Sequence, residues 1–437
     1  MTDKEVIIRS GQKTGHYRLR CLECGEEYPD TNFRLRCDAD HAPAFLRAVY
    51  SSPQLTIDKS APGIFRYSQW LPVDQPLKKS GTTITYRSEE LSRKLGLNNL
   101  YINFSGYWPE KGAFMITCSF KELEAFPVLS RLLKSGKSNI VVASAGNTGR
   151  AFAYACSLNS IPLHLVVPES GLPMIWLIDK PDSCVNLIVL RNGDYLDAIN
   201  LAARIAQQPG FTSEGGALNV ARRDGMGTAV LEGVLSIGSI PDHYFQAIGS
   251  GTGAIAAWEA NIRLAEDGRF GDSGKLMKLH LAQNVPFTPI VKSWRSGNRD
   301  FVTLNEDESK KELDEVYAKV LSNRNPPYSI KGGVYDAMSD AGGDMYEVTN
   351  KEALMAEEDF ERLEGIDISP AAAVAVGALY QAVKQNKIAH KDVILLNITG
   401  GGYKQLRKDY SLHQIQPLIE VDGLRTDLNS VMKVLVE

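Results

Sequence analysis

The sequence lacks any long uninterrupted run of apolar residues. Its longest apolar stretch spans residues 371–380, well short of the roughly 18 residues that a membrane-spanning helix needs. Residues 1–5 carry charges where a secretory signal needs an apolar core. The sequence therefore predicts a soluble protein of the cytoplasm and excludes a membrane transporter or receptor.

An excess of charge of one sign is also absent. The 437 residues contain 48 lysines and arginines against 52 aspartates and glutamates, which gives a net charge of -4. Because such a balance implies no basic surface, nucleic acid is not an expected partner. Cysteine is scarce, with six residues, and without a secretory signal these are expected to be reduced thiols or metal ligands.

Three of the cysteines lie in an N-terminal segment that resembles a zinc ribbon. Cys21 and Cys24 form a Cys-x2-Cys-Gly turn, and such a turn directs two thiolates towards one tetrahedral centre. The second half is incomplete, because Cys37 is followed only by Asp40 and His41 as a fourth ligand. The sequence predicts a structural module, leaves open whether it binds zinc, and assigns no metal to the reaction site.

The rest of the chain alternates short apolar runs with helical patterns. Continuous apolar runs of this length are typical of parallel strands buried on both faces. The sequence therefore predicts an α/β fold with ligands at the carboxyl ends of the strands. The runs that predict strands are 139–144, 162–167, 185–190, 243–248, 276–282 and 393–398.

Three of these runs end in glycine-rich turns. The first glycine turn (144–149) reads SAGNTG, the second (249–253) GSGTG and the third (399–403) TGGGY. Glycines between a strand and a helix let backbone N–H groups converge on an anion, although glycine also simply closes tight turns. The spacing of the second turn fits neither the dinucleotide fingerprint nor the P-loop. A phosphate cradle without nucleotide chemistry is therefore expected.

Lys121 opens a helical segment after Ser-Phe. Taken alone, such a lysine is typical of a surface residue. Beside a phosphate cradle it can instead form a Schiff base, because burial lowers the pKa of the amine and leaves it free to attack an aldehyde. Pyridoxal 5'-phosphate is the cofactor that requires both an amine and a phosphate site, and it is the cofactor we expect here.

Ser-Phe-Lys followed by the three glycine turns, in this order, resembles the fold-type II pyridoxal-phosphate enzymes. Within that group the chain is similar to threonine synthase and its relatives, including the Cys-x2-Cys-Gly turn. The resemblance implies a fold like that of the tryptophan synthase β subunit, with two α/β domains whose sheets are mainly parallel.

The resemblance also implies a division of the chain. The ribbon-like segment occupies residues 1–48. A large cofactor-binding domain is expected from 49–125 together with 235–410, and a small mobile α/β domain from 126–234. Residues 411–437 are expected to form a C-terminal tail.

The roles of individual residues follow from the same resemblance. Lys121 carries the cofactor and acts as the base at the substrate Cα. Asn147 bonds the 3'-oxygen of the cofactor, although an Asx turn or helix cap is an alternative for it. Thr399 faces the pyridine nitrogen. The cofactor phosphate is expected to bind Gly249, Ser250, Gly251, Thr252 and Gly253.

Three further residues are expected to bind substrate. Ser144 and Thr148 belong to the turn that holds the substrate carboxylate. Arg150 is a candidate for an anion pocket, because a guanidinium binds tetrahedral oxyanions with two N–H groups. An exposed helix arginine is the alternative for this position.

The chain departs from threonine synthases at three places. They have Lys-Asp-Arg-Gly where residues 121–124 read Lys-Glu-Leu-Glu, they have Asn-Pro-Thr-Gly in the approach to the lysine, where residues 106–116 differ, and they have a small residue at the position of Arg150. The whole pattern is similar to the cysteate synthases, threonine synthase paralogues of coenzyme M biosynthesis. This likeness implies a homodimer that converts O-phospho-L-serine and sulfite to L-cysteate and phosphate. The alternatives are a threonine synthase acting on O-phosphohomoserine and a non-catalytic metabolite sensor that keeps the cofactor fold.

Overall fold

The computed structural model of the chain describes residues 15–144, 146–271, 274–423 and 427–436. The first part of the N-terminal ribbon-like segment, with its charged residues 1–5, lies outside the described residues. Helices and strands alternate along most of the chain, as an α/β fold requires.

The strands are β1 (Tyr17–Cys21), β2 (Glu27–Tyr28), β3 (Leu46–Tyr50), β4 (Ile84–Arg87), β5 (Asn99–Phe104), β6 (Tyr107–Trp108), β7 (Ala113–Phe114), β8 (Asn139–Ala143), β9 (Leu163–Pro168), β10 (Trp176–Leu177), β11 (Val185–Arg191), β12 (Phe211–Ser213), β13 (His243–Ala247), β14 (Lys278–Asn284), β15 (Gly343–Val348), β16 (Val393–Ile398), β17 (His413–Gln414) and β18 (Pro417–Asp422). The α-helices are α1 (Glu90–Leu95), α2 (Glu122–Lys134), α3 (Asn147–Asn159), α4 (Tyr195–Ala206), α5 (Val220–Ile237), α6 (Thr252–Asp267), α7 (Pro289–Arg295), α8 (Glu306–Glu315), α9 (Val334–Ala341), α10 (Asn350–Glu364), α11 (Pro370–Lys384), α12 (Tyr403–Asp409) and α13 (Leu428–Val436). Short 3-10 helices span Gly63–Trp70, Pro109–Lys111, Glu169–Met174 and Gly216–Leu218.

A six-stranded sheet has the order β15-β14-β13-β16-β5-β4. Its neighbouring strands are parallel except for the antiparallel edge strand β4. The inner strands are buried on both faces, because their sequences are almost continuously apolar, as in the Val-Ile-Leu-Leu-Asn-Ile of β16. Helix α11 packs against β13, β14, β15 and β16 and covers one face of this sheet.

A five-stranded parallel sheet has the order β12-β8-β9-β11-β18. Its outer strand β18 comes from the segment 411–437, which the sequence analysis sets apart as a tail. Helix α13 of the same segment packs on α4, so the end of the chain completes this sheet. The boundaries of the two domains stay predictions.

The six apolar runs of the sequence analysis correspond to β8, β9, β11, β13, β14 and β16, so the α/β expectation is confirmed. Helices α2, α5 and α6 pack on one another in the large core. The N-terminal segment forms a three-stranded antiparallel sheet, β2-β1-β3. Within the described ranges, the helices are all too short or too polar to cross a lipid bilayer.

Candidate functional site

The second and third glycine turns lie side by side. The second turn follows β13 and leads into α6, whereas the third follows β16 and leads into α12. Because β13 and β16 are parallel neighbours, their carboxyl ends meet at one edge of the six-stranded sheet, where ligands of α/β proteins bind.

The segment that carries Lys121 is joined directly to the third turn. Ser119 and Gly400 form an antiparallel bridge, and the Phe120 N–H donates to the Thr399 carbonyl at 3.0 Å. Thr399 itself is 7 % exposed. The backbone immediately before Lys121 is therefore fixed against the residue that the resemblance places at the pyridine nitrogen.

The first and second turns contact a common neighbour, residues 320–321. A Cβ at Gly146 would lie 3.6 Å from Val320 Cγ1, and a Cβ at Gly249 would lie 3.2 Å from both the Val320 carbonyl oxygen and Leu321 Cα. The two turns thus approach each other although they belong to different sheets. Together with the Lys121 segment, the three turns surround one region, which we call the motif site.

The second turn presents backbone rather than side chains. Gly251 has a φ of +80°, and a Cβ there would lie 2.3 Å from Val334 Cγ2. A Cβ at Gly253 would lie 2.4 Å from Gln246 Nε2. Bulkier residues would therefore displace the turn, and glycine keeps its N–H groups accessible.

The start of α6 is suited to an anion. The N-cap residue Gly251 provides no side-chain cap, and the first turn has no acidic residue, so no carboxylate neutralises the positive end of the helix dipole. The Thr252 N–H donates to Ser250 Oγ at 3.3 Å. The Ser250 and Thr252 hydroxyls lie 2.8 Å apart and add two polar groups at the same place. This is the arrangement that binds phosphate in many α/β proteins.

Lys121 lies at the start of α2 in a cluster of charged side chains. Its side chain is 21 % exposed, and its Nζ donates to Glu124 Oε2 at 3.0 Å. The Arg222 guanidinium binds the same carboxylate with two N–H groups, at 2.9 and 2.6 Å. Arg222 also donates to Glu214 at 2.9 Å. We call Lys121, Glu124, Arg222 and Glu214 the lysine cluster.

Burial and charge set the protonation of this cluster. Burial lowers the pKa of the Lys121 amine below its ordinary value, against the opposing charge of Glu124. Burial alone would raise the pKa of Glu124, but the charges of Arg222 and Lys121 outweigh it and lower that pKa to about 2. Glu124 therefore stays ionised beside an amine that loses its proton more easily than usual.

Glu124, Arg222 and Glu214 were not predicted as site residues from the sequence. Glu124 was noted only as one of the positions at which the chain differs from threonine synthases. A signal for Arg222 exists, because Arg-Arg-Asp at 222–224 interrupts a helix otherwise built from small and apolar residues. Charges within such a helix require partners, yet the pattern does not say which ones.

The first glycine turn is ordered by its own serine. Ser144 Oγ accepts hydrogen bonds from Gly146 N at 3.2 Å and Gly149 N at 2.8 Å, and the side chain is buried. Thr148 Oγ1 donates to Glu124 at 2.8 Å. The structure thus connects Thr148 to the lysine cluster and gives Ser144 a role in shaping the turn.

Arg150 is fully buried, so it is not an exposed helix arginine. Its guanidinium donates to the carbonyls of Thr117 and Met174, to Asn147 Oδ1 at 2.7 Å and to Tyr403 OH at 2.9 Å. Protein oxygens thus already engage this group, and its place in an anion pocket stays a prediction.

Arg150 orients Asn147. Since the guanidinium donates to Asn147 Oδ1, the Nδ2 amide group of Asn147 is directed elsewhere and is available as a donor. The same guanidinium contacts Tyr403 at the start of α12. Arg150 therefore joins the first and third glycine turns and fixes the amide that the resemblance assigns to the cofactor.

The residues of the motif site fit pyridoxal 5'-phosphate. The aldehyde of this cofactor needs a neutral amine, and burial favours that form of Lys121. Its phosphate favours a helix N-terminus without an acidic neighbour, which the start of α6 provides. Its ring oxygen accepts hydrogen bonds, and Asn147 offers an oriented amide donor.

Comparison with known proteins agrees with this fit. Residues 78–400 match the family "Pyridoxal-phosphate dependent enzyme". The chain is 54% identical to cysteate synthase of Methanosarcina acetivorans, over 94% of this chain and 97% of that protein. It is 49% identical to cysteate synthase of Methanocella paludicola, over 96% of this chain and 98% of that protein.

Solved structures share the fold at low sequence identity. Threonine deaminase isoform 2 from Solanum lycopersicum matches with a TM-score of 0.57 and 17% identity, over 82% of this chain and 97% of that one. Maize serine racemase matches with a TM-score of 0.54 and 17% identity, over 75% of this chain and 91% of that one. The expected fold-type II architecture is thereby confirmed.

Proposed function

This chain belongs to the pyridoxal-phosphate dependent enzymes and, within them, to the cysteate synthases, and we propose that it converts O-phospho-L-serine and sulfite to L-cysteate and phosphate. The observation that carries the proposal is the near full-length similarity to cysteate synthases. Neither a threonine synthase nor a non-catalytic sensor is favoured, because the relatives that match over nearly the full length are named cysteate synthases. The reaction would supply cysteate to coenzyme M biosynthesis.

When bound, pyridoxal 5'-phosphate supplies an aldehyde that holds the substrate amine and a ring that withdraws electrons from Cα. Lys121 is the residue that would hold the cofactor and then take the Cα proton on its Nζ. A lowered pKa suits this role, because the amine must be neutral to accept a proton. Loss of phosphate from Cβ, addition of sulfite to the same carbon and return of the proton from Nζ to Cα would complete the replacement.

Glu124 is the residue that would position Lys121. Its carboxylate accepts from Nζ at 3.0 Å and is itself held by two N–H groups of Arg222. Because Arg222 is paired with Glu124 and Glu214, its charge is balanced. We therefore assign Arg222 to holding Glu124 and not to binding phosphate or sulfite.

The glycine turns would bind and orient the remaining groups. The second turn would hold the cofactor phosphate through its N–H groups and through the hydroxyls of Ser250 and Thr252. Asn147 would donate its Nδ2 amide to the ring oxygen, and Thr399 would face the ring nitrogen. The start of α3 has no acidic residue in its first turn, which favours the substrate carboxylate there.

We also propose a homodimer in the cytoplasm. The resemblance to fold-type II enzymes supports the dimer, and the free state of the six cysteines suits a reducing compartment. Sedimentation equilibrium of the holoenzyme would give the mass of two chains if the dimer is correct.

A two-substrate assay tests the proposed activity. Holoenzyme with phosphoserine should release phosphate in a sulfite-dependent manner, and the amino acid product should be cysteate. O-Phosphohomoserine should give neither phosphate nor threonine. Turnover of phosphohomoserine alone, or a coloured protein that turns over neither compound, would contradict the proposal.

A further inference from the structure

A second cluster of reactive side chains lies in the N-terminal segment, outside the motif site. The Sγ atoms of Cys21, Cys24 and Cys37 and a ring nitrogen of His41 all lie within 4.8 Å of one another. No step of the proposed reaction uses these residues. Three thiols and an imidazole are a ligand set that zinc prefers.

The spacing of the ligand atoms fits a shared ion. Cys24 Sγ lies 3.7 Å from Cys37 Sγ, and Cys21 Sγ lies 3.4 Å from His41 Nε2. Tetrahedral zinc, with bonds of about 2.3 Å to sulfur and about 2.0 Å to nitrogen, separates two sulfurs by about 3.8 Å and a sulfur from a nitrogen by about 3.5 Å. A disulfide would bring its two sulfurs to about 2.0 Å.

The structure also selects the fourth ligand that the sequence leaves open. His41 Nδ1 lies 2.7 Å from the Ala42 carbonyl, and a ring nitrogen facing a carbonyl oxygen must carry the proton. With Nδ1 turned to that carbonyl, Nε2 is the ring nitrogen that faces Cys21 Sγ and the one placed to bind a metal, as in metal-binding histidines. Asp40 is exposed and is not a member of the cluster.

The backbone around the cluster forms a tight metal-binding turn. Cys21 ends β1, and the Gly25 N–H donates to the Cys21 carbonyl at 3.0 Å, with a φ of +75° at Gly25. Tyr28 OH lies 3.1 Å from Cys37 Sγ. Hydrogen bonds of this kind, from residues that do not themselves bind the metal, orient a ligating sulfur.

The loop between the two pairs of ligands is attached to the helix that follows Lys121. Asp30 accepts two hydrogen bonds from Arg131 of α2, at 2.7 Å each, and the Arg34 carbonyl accepts a third at 2.6 Å. Arg131 is 1 % exposed. Any group that fixes this loop therefore also fixes one side of α2.

We infer that Cys21, Cys24, Cys37 and His41 bind one structural Zn²⁺ ion, which holds the loop 22–41 against α2. The four protein ligands close the coordination sphere, so the ion has no open position for a substrate. The inference does not depend on the substrate of the motif site.

Metal analysis of the holoenzyme tests the inference. After incubation with Zn²⁺ and desalting, the full chain should retain one zinc per chain. Replacement by Co²⁺ should give a thiolate-to-cobalt charge-transfer band and the intense visible bands of tetrahedral coordination. A folded holoenzyme that retains no zinc and shows no thiolate–cobalt band would overturn it.

Matched variants test the ligand assignment. Cys24→Ser and His41→Ala should lose the retained metal, whereas Asp40→Ala and Cys184→Ser should keep one ion per chain. Loss of metal in Asp40→Ala with retention in His41→Ala would overturn the choice of His41. If the ligand variants fail to fold, the cobalt spectrum of the unaltered chain still decides whether three thiolates bind the ion.

Discussion

Arg222 and Arg223 are adjacent in α5, yet they belong to two different clusters of buried charge. Arg222 binds Glu124 and Glu214 in the lysine cluster. Arg223 binds Glu259 of α6 at 2.9 Å and the carbonyls of Leu46 and Ala217. Its guanidinium also lies over the Phe45 ring, 4.5 Å from the centroid.

The two arginines differ in the chemistry of the groups that they contact. Arg223 joins β3 of the ribbon-like segment to α6 through a carboxylate, two carbonyls and a ring, so its role is architectural. The cluster of Arg222 includes Lys121, whose charge disappears when the amine is deprotonated. The same residue type thus stabilises the fold at one position and supports a reactive amine at the next.

The largest effect is expected from removal of the amine itself. Lys121→Ala should lower turnover of phosphoserine by at least about 10³-fold, because it removes the proposed acceptor of the Cα proton. Lys134→Ala, at the other end of α2, should leave turnover unchanged. Steady-state phosphate release measures both variants, and equal activity of Lys121→Ala and the unaltered enzyme would remove Lys121 from the mechanism.

Replacing each of the two arginines by lysine should have a different effect, on kcat at Arg222 and on the free energy of unfolding at Arg223. Lysine keeps the charge but cannot make the forked contacts of a guanidinium. Arg222→Lys should lower kcat on the order of tenfold or more, because Glu124 loses its two N–H partners and no longer holds Lys121. Arg223→Lys should instead lower the free energy of unfolding by about 1–3 kcal/mol with little change in kcat.

Denaturant unfolding and steady-state kinetics on both variants test this separation. A loss of kcat in Arg223→Lys as large as that in Arg222→Lys would contradict the distinction between an architectural and a supporting arginine.

Glu124→Gln should change the pH dependence of cofactor uptake. Glu124 raises the pKa of Lys121 against the effect of burial, so loss of its charge lowers that pKa further. More of the amine is then neutral at a given pH, and the acidic limb of the uptake rate should move to lower pH. Absorbance-detected binding of pyridoxal 5'-phosphate to the apoprotein measures the limb.

Glu259→Gln changes the carboxylate that pairs with Arg223 and serves as the control. It should leave the acidic limb of cofactor uptake at the same pH as in the unaltered protein. A limb that moves upwards in Glu124→Gln would contradict the assignment of Glu124 as the counter-ion of Lys121.

The smallest effect is expected at Thr148. Its hydroxyl donates to Glu124 at 2.8 Å, and loss of one such bond costs about 1 kcal/mol. Thr148→Ala should therefore lower kcat/KM roughly fivefold. Thr228→Ala removes a hydroxyl that bonds only within α5 and should have no kinetic effect; equal losses in the two variants would show that Thr148 acts through stability alone.

The elements that could be predicted from the sequence are those set by local pattern. Strands such as β8 and β16 are short, almost continuously apolar runs, and a glycine turn follows each of them directly. Parallel pairing of β13 with β16 places the second and third turns together, although no local pattern identifies these two strands as neighbours. The antiparallel edge strand β4 has weaker patterning, with three half-buried residues and one exposed, and was not predicted.

The parts that could not be predicted depend on partners distant in the chain. Glu124 and Arg222 are separated by 98 positions, and nothing local indicates that they meet. The partners of Arg150 were not predicted for the same reason, because its acceptors come from residues as distant as Tyr403. Strand β18 joins β11 from the far end of the chain, which no periodicity reveals.

Borohydride reduction of the holoenzyme, followed by peptide mass mapping, tests the central claim most directly. Reduction makes the bond between the cofactor and its lysine permanent. The account predicts the mass of the reduced cofactor on Lys121 and loss of the labelled peptide in Lys121→Ala. The label on another lysine in the unaltered enzyme would contradict it.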